Sequence, residues 1–490
     1  MKVAASRWPG WFTLAAGLLV LGFVFHAEIG AAINVWLHST AYNHCFLILP
    51  MAAWLAWQRR ERLGRTTIQP TLLALPAGLV LGMVWFLADR LGIMEGRQLA
   101  AMSLVQLLFL SVLGWALYRA MAAPLLYLFF LVPFGGFLVP LLQRFTTLFV
   151  VHGLDVIGVP NFNVGNDIEI PQGVFRIAEA CAGLRFLIAA IAFSVFYACI
   201  IYRNPGRRIL FILVSLFVPV IANGFRALGI VWLGYMLGSA RAAATDHVLY
   251  GYLFFSIVLL LLIMLGLLFR QDHLVREVRS EPAKPEASAG LARSLPPAAA
   301  VVVLAALFPM LAGGIDRAAA ATHPVLQASF PGCTRQQGGV TLPRLVAAGG
   351  ALERFACEDH TLALTLAVFP PRSDPRLILD SERALSGEDT REAEMRTLHV
   401  AAAVPKDWQL VFIQVPPAAT ASALWIGGQP AANDLRTRLK QALASLLGGR
   451  KSPLVVVIET AGPPAEAEAR LASFLAAGGA SPAKLASFQH

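Results

Sequence analysis

Charge is what this sequence has least of. Only 14% of its 490 residues are Asp, Glu, Lys or Arg, where a water-soluble domain carries about a quarter. That excludes an ordinary soluble enzyme. Acidic residues are the scarcer kind, 29 against 39 basic, which leaves a net charge of +10. The basic residues are scattered among apolar runs instead of forming a patch. They do not mark a nucleic-acid binder and read better as the cytoplasmic bias of Lys and Arg in a polytopic membrane protein. Cysteine is also sparse: Cys45, Cys181, Cys199, Cys333 and Cys357. No CxxC or comparable spacing relates them, so no metal site and no cofactor is expected. There is no repeat at a solenoid period, no nucleotide-binding motif and no His-x4-Asp pattern of the kind an acyltransferase would need.

What is abundant is hydrocarbon. The sequence is 57% hydrophobic with mean hydropathy +0.65, and apolar runs long enough to span a bilayer recur. Candidate spans fall at roughly 11–29, 42–57, 71–89, 99–118, 123–143, 184–202, 209–235, 248–269 and 297–315. The basic start followed by a long apolar stretch reads as an uncleaved first helix, since further spans follow. Arg59, Arg60, Arg62 and Arg65 crowd the second connection, Arg119 the fourth, Arg203, Arg207 and Arg208 the sixth, and Arg270, Arg276, Arg279, Lys284 and Arg293 the eighth. The odd connections are poor in Lys and Arg. Even connections are therefore expected inside, with the N-terminus cytoplasmic and the tail after 315 external. The expected fold is a polytopic α-helical membrane protein of about eight or nine spans with a C-terminal α+β extracytoplasmic domain.

This topology puts 144–183 outside. Within it, NVGNDIEIPQGVFRIAEAC shows two short β-type runs around Pro171-Gln172-Gly173, the pattern of a hairpin. Residues 280–296 are rich in Pro, Ala and Ser and read as a linker. Beyond the last span, TLALTLAVF, WQLVFIQV and PLVVVIET look like strands, and helices are expected near 433–447 and 464–476. In an oxidising compartment Cys333 and Cys357 either form a disulfide or remain two free thiols.

Three short stretches near the expected outer surface carry chemistry. EACAGLRF places Cys181 where a helix of the bundle begins, with Arg185 one turn on. A helix N-terminus and a guanidinium both favour a thiolate, although a lone cysteine in a membrane protein more often behaves as a small hydrophobe, and small residues such as those in CAGL also serve close helix packing. ANGFRALGI places Asn223 and Arg226 three apart, on one helix face. An arginine at membrane depth costs on the order of 3 kcal/mol and needs a partner or an aqueous cavity; the alternative is that it snorkels to the interface. TDHVLYGY places Asp246-His247 just before a helix, as a general base or acid with a carboxylate to orient it. The scheme these suggest is thiolate attack on a carbonyl with an arginine stabilising the oxyanion. Asn43, His44 and Asp155 are further polar candidates, better read as interfacial residues.

EACAGLRF, NGFRALGI and DHVLYG, in that order on successive helices and preceded by VGNDIEIPQGVFRIAEAC, resemble the exosortases, relatives of the archaeosortases. The resemblance covers roughly 11–270, with its motifs between 164 and 251. It implies a cysteine peptidase or transpeptidase of Gram-negative inner membranes. Such an enzyme would act on C-terminal sorting signals built of a Pro-Glu-Pro motif, a transmembrane helix and a basic cluster, often alongside exopolysaccharide production. By motif, Cys181 matches the nucleophile, Arg226 the arginine and His247 the third active-site residue, with Arg185, Asn223 and Asp246 in support. The sequence departs at Ala182, where the family usually has serine. The expected domains are a catalytic core at 1–279, the linker 280–296, an added span 297–315 and a periplasmic accessory domain 316–490. Substrate tails, lipid and the exopolysaccharide machinery are the expected partners. The other reading is a non-catalytic membrane component of exopolysaccharide export, with Arg226 lining a polar path.

Overall fold

The computed structural model describes residues 8–73, 75–178, 181–238, 247–271, 291–320, 330, 332–336, 342–358, 361–387, 394–413, 417–432, 434–447 and 451–479. Contacts divide the chain into two compact units. One comprises 1–81 with 98–303, the other 82–97 with 304–490.

In the first unit the apolar runs fold as helices, because a segment in lipid must satisfy its backbone N–H and C=O groups internally. These are α1 (Trp8–Val24), α2 (His26–His38), α3 (Cys45–Gln58), α4 (Arg60–Arg65), α5 (Leu75–Arg90), α6 (Met94–Ala120), α7 (Ala122–Tyr127), α8 (Val139–Ile157), α9 (Leu184–Ile201), α10 (Pro205–Leu237), α11 (His247–Leu268) and α12 (Leu291–Ala320); α5, α6 and α12 pass between the two units. Among the described residues five helices are long and apolar enough to cross a membrane, or six if α1 and α2, which meet at 77°, make one broken span. Cys45–Gln58, Ala122–Leu131 and Leu253–Leu268 are shorter apolar helices.

Two expectations need correction. The run 123–143 is not one helix. Pro133 holds Val132 in an extended conformation, Gly135 has φ +122°, and α8 starts afresh at Val139 and continues to Ile157. The stretch expected as an external loop from 144 therefore begins with about four turns of helix, ending at Ile157. The linker is also shorter than expected. α12 starts at Leu291, where Leu, Ala and Arg are good helix formers and Ser294 is buried against the Thr13 hydroxyl, 3.1 Å away.

α10 shows how local sequence sets a boundary. The Asn204 side chain caps it by accepting from the Gly206 amide, Pro205 occupies its first turn, and Gly238 closes it in the left-handed conformation. Between α8 and α9 the chain makes a three-stranded antiparallel sheet of β1 (Phe162–Val164), β2 (Asp167–Ile170) and β3 (Gly173–Arg176). Ile170 pairs with Gly173, so Pro171 and Gln172 form the two-residue turn of the hairpin. Ile168 and Ile170 pack with Val150 and Leu154 of α8 and Ala227 and Val231 of α10.

The second unit is sheet-rich. Its strands are β4 (Cys333–Gln336), β5 (Ala351–Cys357), β6 (Leu362–Val368), β7 (Glu394–His399), β8 (Asp407–Ile413), β9 (Ala418–Ile426), β10 (Gln429–Ala431) and β11 (Leu454–Ala461). They run in the order β4-β5-β6-β11-β9-β8-β7, with β10 paired to β9. Side chains alternate across a strand. Leu454, Val456 and Ile458 of central β11 thus join one core with Leu471 and Phe474 of α16 (Pro464–Ala476), reached after α13 (Pro343–Ala347), α14 (Pro375–Ser386) and α15 (Leu435–Leu447). Val455 and Val457 join another with Ile378 and Leu379 of α14. Cys333 and Cys357 are register partners on β4 and β5, and their sulfurs are bonded.

Candidate active site

The path to the site starts at the hairpin. Beyond β3 the Ile177 amide donates to Asn166 O, and the Ile177 carbonyl accepts from Gln143 Nε2 of α8 at 3.0 Å. A turn follows in which the Cys181 amide donates to Ala178 O at 2.8 Å. Cys181 is half-buried and packs on the apolar cluster shared by the hairpin, α8 and α10. It stands two residues before Gly183, which caps α9 with φ +82°.

That glycine is required twice over. Its backbone lies in the left-handed region that side chains avoid, and a Cβ there would lie 2.5 Å from Cγ of Asn223. The close approach lets Asn223, 3% exposed on α10, reach the chain at the cysteine. Its Nδ2 donates to the Cys181 carbonyl at 2.9 Å and to Thr146 Oγ1 of α8 at 3.3 Å. On the other side Arg226 Nη1 donates to Asn223 Oδ1 at 3.2 Å. Arg226 is 1% exposed and so does not snorkel. The three-residue spacing read from the sequence becomes a hydrogen bond along one helix face.

Phe186, one residue into α9 beyond Arg185, organises the two cations. The guanidinium carbon of Arg185 lies 4.7 Å from its ring centroid and that of Arg226 5.5 Å, and Phe255 of α11 stacks on the same ring at 4.8 Å. α11 comes in closest at Gly251. A Cβ there would lie 3.3 Å from Arg226 Nε and 3.7 Å from Arg185 Nη2, so this glycine makes room for both guanidiniums. His247 is the first residue of α11, one turn before Gly251, and the two positions share a face of the helix. Asp246 lies outside the described residues.

Cys181, Arg185, Asn223 and Arg226 are thus gathered from α10 and the start of α9, with α11 at their side. Asp155 is exposed and accepts from Asn161 Nδ2 at 2.8 Å. His44 Nδ1 lies 3.1 Å from Ala41 O. Asn43 is exposed in the same turn. Sequence reasoning missed Thr146, Phe186 and Gly251. Phe186 and Gly251 lie inside the quoted motifs, yet nothing about a lone Phe or Gly says that it faces arginine. Thr146 carried one signal, a pair of hydroxyl residues in an apolar helix.

A helical membrane protein with arginine, asparagine and a cysteine backbone joined by hydrogen bonds among packed helices is a protein with an internal polar site. Residues 36–264, which include Cys181, Arg226 and His247, match the transmembrane exosortase family. No curated protein and no solved structure matches the chain.

Proposed function

We propose that the protein is a membrane-embedded cysteine peptidase or transpeptidase. It cleaves C-terminal sorting signals, made of a Pro-Glu-Pro motif, a transmembrane helix and a basic cluster, at the periplasmic face of a bacterial inner membrane. The observation that carries this reading is the continuous contact from Arg226 through Asn223 to the Cys181 carbonyl, inside the segment that matches the family. It ties the backbone of the thiol residue to a buried cation.

In the reaction the Cys181 thiolate attacks the scissile carbonyl. The oxyanion of the tetrahedral adduct lies toward Arg226, with Arg185 adding positive potential. As the C–N bond breaks, His247 gives a proton to the departing amine and leaves a thioester on Cys181. Water, or an amine or hydroxyl of an acceptor molecule, attacks that thioester with His247 taking its proton, and the thiolate is restored. Asn223 acts by holding the cysteine backbone still. The reading takes about eight or nine spans, a cytoplasmic N-terminus and a core at 1–279. A further span over 297–315 then leads to a periplasmic accessory domain at 316–490. The Cys333–Cys357 bond supports that compartment, since disulfides persist where it is oxidising.

The test is processing of a reporter carrying such a tail. Cys181→Ala should abolish cleavage while the protein still inserts, and Arg226→Gln should lower the rate by about 10²–10³-fold. Cleavage at the wild-type rate by Cys181→Ala would sink the proposal. Tolerance at Cys181 with loss of exopolysaccharide output on changing Arg226 would point to the non-catalytic export component.

A further inference from the structure

The elbow between α1 and α2 holds a hollow that the site around Cys181 does not use. A cavity of about 290 Å³ sits in this bend, walled by Leu21, Phe25, Ala32, Ala101, Leu131 and Val132. Trp36 also lines it, with its indole N–H already given to Leu131 O at 3.1 Å. Two polar side chains face this apolar wall: Glu28, 3% exposed, and Gln98, 5% exposed.

Gln98 is the informative residue. Its Nε2 donates to the Glu28 backbone carbonyl at 3.1 Å. A carbonyl can only accept, which fixes the amide's orientation. Its Oε1 is buried and has no hydrogen-bond donor among the described residues. An unmet buried amide oxygen costs about 1–3 kcal/mol. Gln98 thus brings a buried, unmet amide oxygen to the lining of a largely apolar hollow.

We propose that this cavity binds one membrane lipid, taking a hydrocarbon chain against its apolar wall and an O–H or N–H donor of the lipid's polar part at Gln98 Oε1. The wall is apolar but for Glu28, Gln98 and the Trp36 indole N–H, which suits a hydrocarbon chain. The surroundings also favour lipid. Leu19 and Phe23 of α1 and Ile29 of α2 are 76%, 80% and 45% exposed, so the bend lies among side chains that face hydrocarbon. The lipid would brace the elbow and complete the packing that two helices at 77° leave open.

The test uses the full chain in nanodiscs doped with lipids carrying brominated acyl chains, which quench tryptophan on contact. The Trp36 component is the difference between the wild type and Trp36→Phe. Brominated phosphatidylethanolamine offers N–H donors, phosphatidylglycerol offers O–H donors, and phosphatidylcholine offers neither. One or both donor lipids should quench that component at a mole fraction roughly three- to ten-fold lower than phosphatidylcholine, the worth of one hydrogen bond. Which of them does so identifies the donor. Gln98→Leu should erase the preference. Gly22→Leu is the second variant, because Gly22 lines the cavity and a Cβ there meets nothing within 4 Å. The leucine side chain takes up space in the cavity and should abolish the quenching. Equal quenching by phosphatidylcholine in the wild type, or quenching unchanged in Gly22→Leu, overturns the proposal. Cleavage of sorting tails is not the readout, so failure here leaves the peptidase reading standing.

Discussion

Gly183 and Gly158 are nearly identical in backbone, with φ +82° and +80°, yet they should answer differently to alanine. Either substitution costs about 1–2 kcal/mol for a left-handed residue with a Cβ. At Gly158 the added carbon meets nothing within 4 Å, while at Gly183 it falls 2.5 Å from Asn223. Gly183→Ala should therefore push Asn223 off the Cys181 carbonyl and reduce tail processing on the order of a hundred-fold, as small misplacements at a reacting centre do. Gly158→Ala should cost stability with activity near wild type. Equal effects on processing would mean that strain, and not the asparagine contact, is what matters at the cysteine. The same residue scale limits what sequence can reveal. Arg226 announced itself because a charge in an apolar run demands an explanation. Phe186 and Gly251 did not, since phenylalanine and glycine are at home in any membrane helix.

At the scale of elements, patterns of period and punctuation were readable and breaks in lipid-facing helices were less so. The Pro-Gln turn of the β2–β3 hairpin, the strands around TLALTLAVF and PLVVVIET, and helices near 433–447 and 464–476 all appear in the structure. The broken run 123–143 shows the opposite case: its hydropathy is continuous across Pro133 and Gly135, and the interruption is a matter of backbone geometry. α15 offers a test of element-level chemistry. Asp434 precedes it and accepts from the Thr437 amide at 2.7 Å. That backbone hydrogen bond, with the Thr437 side chain, holds the carboxyl below its usual value. A depressed folded value means stabilisation that is present above the unfolded value of about 3.9 and fades as pH falls through the folded one. In Asp434→Ala, amide exchange over the first turn of α15 should be several-fold faster than wild type at pH 7, and the difference should vanish in acid. A difference that persists in acid would show that the cap does not depend on the charge.

The whole molecule adds a feature that no window of sequence contains. The second unit includes 82–97, the end of α5 and the start of α6 with the turn between them, together with the chain from 304 onward. It contains an ionic cluster: Arg90 bonds Asp89 and, at 2.9 Å, Asp316 of α12, while Arg97 bonds Asp89 at 3.0 Å. Asp89 is 8% exposed at its side chain and Asp316 47%. Removing the buried charge takes the shared carboxylate from two buried arginines, so Asp89→Asn should lower unfolding stability by about 3–5 kcal/mol. Asp316→Asn, screened by water, should cost about 1 kcal/mol or less. Denaturant titration of the full chain reads both, and comparable losses would refute a buried cluster.

By itself the sequence determined that this is a membrane protein, where its apolar runs fall and that its tail is rich in strands, and it marked Cys181, Arg226 and Asn223 as the candidates for chemistry. Those follow from composition and period, because lipid and water sort residues by polarity along the chain. Only the tertiary structure decided that Asn223 holds the cysteine backbone, that Phe186 meets two guanidiniums, that the stretch 82–97 belongs with the late unit, and that a bend leaves Gln98 lining a hollow. Each of these is a close approach between segments far apart in sequence, set by how side chains and glycines let helices pack.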